Sequence, residues 1–267
     1  MNESVSKIEI KNVSFDYINE KKRFPALQNI NLEIHEGEFI CLLGSSGCGK
    51  STLLSLLNGI QRPTGGELLL DGKPIKGPGI DRAVVFQQYS LFPWLTVKGN
   101  VLFGIRQSGK KYSKKEREAL AAQYVEQVGL TTAAERYPNQ LSGGMKQRVA
   151  VARALALESD VLLLDEPFGA IDPKLRLELQ ELVSKLCVEH NKTVVFVTHD
   201  LDEAILLADR IVVMAPGKIR NILPVRLPHP RIREELIRTE EYEKLHRQLI
   251  MAFYDQVEET IDAGVAL

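Results

Sequence analysis

Net charge is what the chain most conspicuously lacks: 34 basic against 35 acidic residues leave −1 at neutral pH. No global field therefore draws in nucleic acid or an anionic lipid surface, and any such partner has to be met through a local patch. Long apolar runs are missing too. None approaches the roughly 18 to 20 residues that cross a bilayer, and the polar start Met1-Asn2-Glu3-Ser4 has nothing of a secretory signal, so a soluble, cytoplasmic chain is the expectation. Cysteine is scarce. Cys41, Cys48 and Cys187 lack metal-ligand spacing and cannot form an all-paired framework, which suits a reducing compartment. Internal repeats and low-complexity tracts are absent, and the 44% hydrophobic content over 267 residues rules out disorder and suffices for one large domain or one with a subdomain.

What the chain does have is a glycine-rich turn, Gly44-Ser45-Ser46-Gly47-Cys48-Gly49-Lys50-Ser51, followed by Thr52. It lies between the apolar run Phe39 to Leu43 and the helix-like Ser51 to Leu57, the strand–turn–helix context of a P-loop. Glycines let successive backbone N–H groups curl around a phosphate chain while the following helix points its positive end at the same anion. Lys50 is placed to neutralise the outer phosphates and Ser51 to give its hydroxyl to a bridging magnesium ion.

Around this turn, Ile8 to Phe15 and Leu27 to Ile34 alternate as strands of an antiparallel pair, with Tyr17 next to a charged loop from Asn19 to Arg23. Tyr17 either lies flat on a base or covers the sheet edge. Glu67 to Leu70 and Lys73 to Ile75 read as a hairpin about Asp71-Gly72. The strand Ala83 to Phe86 ends in Gln87-Gln88, and strand ends are where doubly wound sheets place ligand contacts. The aromatic cluster Leu91-Phe92-Pro93-Trp94-Leu95 is local core or a docking surface. A charged helix from Ser113 to Val128 precedes Leu141-Ser142-Gly143-Gly144, where Ser142 can cap a helix and Gly143 and Gly144 expose backbone N–H groups at its positive end. An ordinary capped helix would not need two glycines, each costing about 1 kcal/mol against alanine.

Val161 to Leu164 is an aliphatic run typical of a central parallel strand, and it ends in Asp165-Glu166-Pro167. Adjacent carboxylates at a strand end are costly without a cation, which Mg-ATP supplies. Alternation along the strand sends the two side chains opposite ways, giving Asp165 to the metal through water and Glu166 to orienting and deprotonating the attacking water. Asp172-Pro173 opens an amphipathic helix to Val188, and the buried strand Thr193 to Val197 ends in Thr198-His199-Asp200. His199 is structural or touches the outermost phosphate. Ile211 to Met214 reads as the last strand of the sheet, followed by an extended connection with Pro224, Pro228 and Pro230. A final helix carries Tyr242, Leu245, Leu249, Phe253 and Val257 as one stripe, for the chain's own core or for a partner subunit.

In this order the P-loop, Gln87, Leu141-Ser142-Gly143-Gly144, Asp165-Glu166 and His199 resemble the ATP-binding cassette family of ATPases, from about Ile8 to Met214. The resemblance implies an α/β fold: a P-loop NTPase (RecA-like) core with a mostly parallel sheet, an N-terminal antiparallel β subdomain and an inserted helical subdomain at about 92–155. The cassette itself would occupy 1–220, with 221–267 as a proline-containing linker and C-terminal helix. It further implies that Tyr17 stacks on adenine, Gln87 senses metal and terminal phosphate, His199 holds that phosphate against Glu166, and Asp172 borders the nucleotide. The implied partner is a second copy, arranged head to tail so that Ser142 to Gly144 of one chain closes over ATP on the P-loop of the other.

Within the family the chain is most similar to separate ATPase subunits of bacterial importers in the nitrate, sulfonate and taurine group, on Leu91-Phe92-Pro93-Trp94-Leu95-Thr96-Val97 and a tail too short for a regulatory domain. That places it on the cytoplasmic face of a membrane beside integral permease subunits, with a solute-binding protein as an indirect partner and no nucleic acid. One departure is Gly169-Ala170-Ile171-Asp172 where many members have Ser-Ala-Leu-Asp. The rival readings are an exporter ATPase and a soluble cassette acting on nucleic acid, and neither fused membrane spans nor paired cassettes support them.

Overall fold

The computed structural model describes residues 6–19, 22–169, 171–228 and 231–262, without the side chains of Asn19 and of 254–262. Met1-Asn2-Glu3-Ser4, Glu20, Lys21, Ala170, Pro230 and the side chain of Val257 therefore lie outside the described residues. In chain order come β1 (Ser6–Asn19), β2 (Lys22–His35), β3 (Phe39–Leu43), α1 (Lys50–Asn58), β4 (Gly65–Leu70), β5 (Lys73–Pro74) and β6 (Arg82–Val85). Then follow α2 (Val97–Gln107), α3 (Lys114–Gln127), α4 (Gly143–Leu155), β7 (Val161–Asp165), α5 (Pro173–Glu189), β8 (Thr193–Thr198), α6 (Leu201–Leu207), β9 (Arg210–Ala215), β10 (Lys218–Pro224), α7 (Arg233–Leu236) and α8 (Glu240–Asp262). The chain divides into one unit built from both ends, 1–78 with 193–267, and a second formed by 79–192.

In the first unit β3 lies between β8 and β9, parallel to both, with Leu43 opposite Thr198 and Val213. Every residue of β3 and β8 is buried, which is why both read as unbroken apolar runs rather than as alternating strands. β10 adds antiparallel to the free side of β9. The sequence expectation had ended this sheet at Met214; β10 went unread because none of its residues is buried, so no alternating apolar face marks it, and Pro224 closes it, a residue tolerated at an edge where no ladder donor is needed. Position 221, where the composition changes, falls inside this strand.

The antiparallel sheet runs β2-β1-β4-β5. β1 and β2 are longer than their alternation indicated, since Tyr17 pairs with Phe24, Ile18 with Arg23 and Asn19 with Lys22. The expected charged loop is thus mostly strand: Lys22 and Arg23 are exposed, and one face of an antiparallel sheet tolerates charge in water.

In the second unit β6 and β7 pair in parallel, Val85 opposite Leu164. α2 packs on α3 and α4. Its approach to α4 is close enough that a Cβ on Gly104 would stand 2.4 Å from the Arg153 carbonyl oxygen, so only glycine fits there. α3 begins with a capping box, the Ser113 hydroxyl accepting from Glu116 N and the Glu116 carboxylate from Ser113 N. Among the described residues no helix is long and apolar enough to cross a membrane.

Candidate functional site

In the first unit the phosphate turn is preorganised by its own backbone. Lys50 is buried, and its ammonium donates to the carbonyls of Gly44 at 2.7 Å and Ser45 at 2.8 Å, while Cys48 Sγ stands 3.9 Å away as a weak third acceptor. Gly49 precedes α1 with φ 110°, and a Cβ there would meet Leu27 Cδ2 at 2.7 Å and the Ala26 carbonyl oxygen at 2.9 Å. Only glycine therefore carries the chain from the turn into the helix. From the other side Gly217 N donates to the Cys48 carbonyl at 3.0 Å. Cys48 itself is 1% exposed; burial pushes its thiol up, with the Lys50 ammonium opposing.

Tyr17 and Thr52 come together, their hydroxyls 3.1 Å apart, at the first turn of α1. The Tyr17 ring stands edge-on to Phe15 at 5.0 Å and remains 43% exposed, so it is fastened at both ends and offers a face to solvent. Because Leu43 and Thr198 are partners in register, Gly44 and His199 leave neighbouring parallel strands at the same level. His199 and Ser51 are both exposed.

In the second unit the ends of β6 and β7 bring Gln87 and Glu166 together. Gln87 Nε2 and Glu166 Oε2 lie 3.7 and 3.9 Å from the Cβ position of Gly169. Asp165 closes β7, but Glu166 has a left-handed backbone, φ 42°. The expected alternation therefore stops at Asp165, and what re-aims the Glu166 carboxylate is this turn, a conformation costing on the order of 1–3 kcal/mol for a non-glycine residue. Phe168, fully buried, holds the turn, and Gly169 N returns to the Glu166 carbonyl at 3.3 Å.

Downstream of Gln87 the chain has two further left-handed residues, Tyr89 (φ 53°) and Ser90 (φ 46°). Arg153 of α4 donates to both of their carbonyls, at 3.4 and 2.7 Å, and its guanidinium lies 5.4 Å from the centre of the Phe92 ring. Next, the fully buried Asn100 accepts from Phe92 N at 2.9 Å and donates to the carbonyls of Phe92, Leu95 and Thr96 at 3.0 to 3.2 Å. This latch turns Trp94 outward, 70% exposed, so its ring is not local core. Sequence reading missed both polar residues. The available signals were an arginine inside the apolar stretch Val149 to Ala156 and an amide inside Val97 to Ile105.

Ser142 caps α4, its hydroxyl accepting from Met145 N at 3.3 Å. Gly144 borders the start of α5: its Cβ position is 3.9 Å from Ile171 and 3.5 Å from Leu175, ordinary contacts that a larger residue would satisfy. Asp172, exposed, caps α5 by accepting from Lys174 N at 3.0 Å. The turn Leu141 to Gly144, the signature turn, therefore adjoins the start of α5 that Asp172 caps.

The family model described as ABC transporter matches residues 27–169. The bicarbonate transport ATP-binding protein CmpC of Synechococcus elongatus is 51% identical over 228 residues, 84% of this chain and 34% of that protein. The chain thus spans about a third of the length of the CmpC relatives it matches. The nitrate import ATP-binding protein NrtD of the same species is 45% identical over 234 residues, 86% of this chain and 85% of that protein. Among solved structures, a dimeric post-hydrolysis state of the ATP-binding cassette MJ0796 bound to ADP and Pi superposes with TM-score 0.74 at 36% identity, covering 83% of this chain and 100% of that one.

Proposed function

The chain belongs to the ABC transporter family, and from that premise we propose that it is the ATP-hydrolysing subunit of an importer for a small solute. The observation that carries the ATPase reading is the preformed phosphate turn, with Lys50 held by two carbonyls and Gly49 in a conformation barred to other residues. ATP lies along Gly44 to Thr52, its base against the free face of Tyr17. Glu166 takes the proton of the attacking water and Gln87 orients that water. His199 donates to the terminal phosphate. Preorganised donors of this kind, aimed where negative charge develops, supply most of the rate in phosphoryl transfer.

The donor set suits magnesium. Ser51, Asp165 and Gln87 each offer an oxygen ligand, the donor type that magnesium takes. When bound there, Mg2+ neutralises charge on the phosphate oxygens.

The second copy is recruited by the signature turn. Gly144 is buried with its Cβ position toward Ile171 and Leu175, so the groups on offer are those of the exposed Ser142 and the half-buried Gly143 at the N-terminal end of α4, for the terminal phosphate of ATP held by a partner chain. Ser142 and Gly143 lie in the same turn, and Asp172 of the neighbouring cap adjoins it. The exposed Trp94 turn is the surface for an integral permease subunit, which keeps the chain at the cytoplasmic face of a membrane. Relatives named for bicarbonate transport and nitrate import support a small polar solute of the nitrate, sulfonate and taurine kind. Solute choice itself rests with the permease and a solute-binding protein.

Glu166→Gln should retain ATP binding while kcat falls about 10²- to 10⁴-fold, the range for loss of a general base. Lys50→Ala should instead raise the Kd for ATP. Rapid turnover by Glu166→Gln would refute the base assignment.

A further inference from the structure

The segment after β10 grips one short helix, α6, at both ends, and that helix begins two residues after His199 with Asp200 as its cap. At the C-terminal end of α6, Arg231 is buried, its side chain 2% exposed. It donates to the carbonyls of Ile205 at 3.0 Å and Ala208 at 2.6 Å, groups left over by the end of the helix, and to Leu227 at 3.2 Å. At the N-terminal end Asp202 accepts from Arg233 at 2.5 Å and from the Tyr242 hydroxyl at 2.5 Å, with His246 Nε2 at 3.6 Å.

The same first turn of α6 holds the backbone on each side of His199. Asp200 accepts from the N–H groups of Asp202 at 2.9 Å and Glu203 at 3.1 Å. Thr198 donates its hydroxyl to the buried Glu203 carboxylate at 2.6 Å, and Asp200 N donates back to that hydroxyl oxygen at 3.0 Å. His199 thus lies between Thr198, fixed in β8 opposite Leu43 and tied by its hydroxyl to Glu203, and Asp200, whose carboxylate is bonded to the first turn of α6.

We propose that Arg231 is a positioning residue for hydrolysis: by holding the end of α6, together with the Asp202 contacts to Arg233 and Tyr242, it sets where His199 stands relative to the phosphate turn. This rests on the reading that His199 contacts the terminal phosphate. A guanidinium fits the task because its planar fork reaches several carbonyls at once in a fixed geometry, whereas an ammonium reaches fewer. A small misplacement of a group that contacts the reacting phosphate is costly even when the misplacing change is remote.

The test is a double-mutant cycle in steady-state ATP hydrolysis by the full chain, comparing Arg231→Ala, His199→Ala and both together. Arg231→Ala is expected to lower kcat by about 10- to 100-fold with KM little changed, and the double variant to be no slower than His199→Ala. Arg231→Lys should recover part of the loss. Tyr242→Phe, which removes one hydrogen bond to Asp202 and keeps the ring, should lower kcat in the same sense while the protein, although its unfolding midpoint falls somewhat, is still fully folded at the assay temperature, separating positioning from general loss of folding. Wild-type kcat in Arg231→Ala, or losses that multiply in the double variant, would overturn the inference while leaving the histidine's role intact. Full activity of His199→Ala would instead remove that role, and the inference with it.

Discussion

Gly49 and Cys48 sit side by side in the phosphate turn and fail under substitution or attack for opposite reasons. For Gly49 the constraint is geometric: with φ 110° and a Cβ position 2.9 Å from a backbone oxygen that cannot step aside, Gly49→Ala should lose on the order of 1–3 kcal/mol, read as a lowered urea midpoint, and weaken ATP binding. For Cys48 the constraint is access. The spacing of glycines and lysine makes the turn plain in the sequence, but it invites the picture of a cysteine open to reagents beside a phosphate. Burial overturns that picture: the thiol is raised and covered, so a maleimide should label Cys48 only as fast as the turn opens, and bound ATP should slow it further. Labelling at the rate of a free thiol would contradict the burial. Glu166 teaches the same lesson, since its residue type was readable and its left-handed backbone was not.

Among elements, the least readable was the turn from Phe92 to Thr96. Its aromatics were plain, and whether they faced in or out was not, because the answer depends on one amide. Asn100, itself fully buried, bonds four backbone groups of this turn, of which Phe92 N–H and the Leu95 carbonyl gain their partner from it, and so turns Trp94 outward. Asn100→Ala should cost on the order of 1–3 kcal/mol in urea unfolding without change in the slope, while ATP binding at the phosphate turn is retained. An unchanged midpoint would mean that the latch is not needed. Parallel strands were the easiest to see, since β3 and β8 are buried throughout and their apolar runs have no competing pattern. β1 and β2 were read short because their ends carry charge, and strand pairing at an exposed edge depends on backbone partners rather than on side-chain type.

Across the whole chain, the two long stretches of sequence with regular patterns were recovered and the returning segment after β10 was not. Arg231 gave no warning: an arginine after prolines reads as solvated linker, and its burial depends on carbonyls some 23 to 26 positions away. That segment also carries a pH response. Burial raises the Asp202 carboxyl, yet hydrogen bonds from Tyr242 and Arg233, with the charges of Arg233 and His246, more than offset this and hold it below its ordinary 3.8. A carboxylate depressed on folding contributes stability that is complete above the ordinary value and drains away as pH falls through the depressed one. Docking of α8 should therefore be at full strength at neutral pH and loosen in acid, seen as proteolysis in the 225–240 region, and Asp202→Asn should flatten that dependence. The division of the chain has a last consequence, for synthesis. β3 carries the phosphate turn, but its two flanking strands, β8 and β9, are encoded after the entire second unit. On the ribosome the nucleotide cradle must wait, half-walled, until residue 217 emerges and closes over Cys48, so a nascent chain acquires its grip on ATP only after the whole second unit has been made.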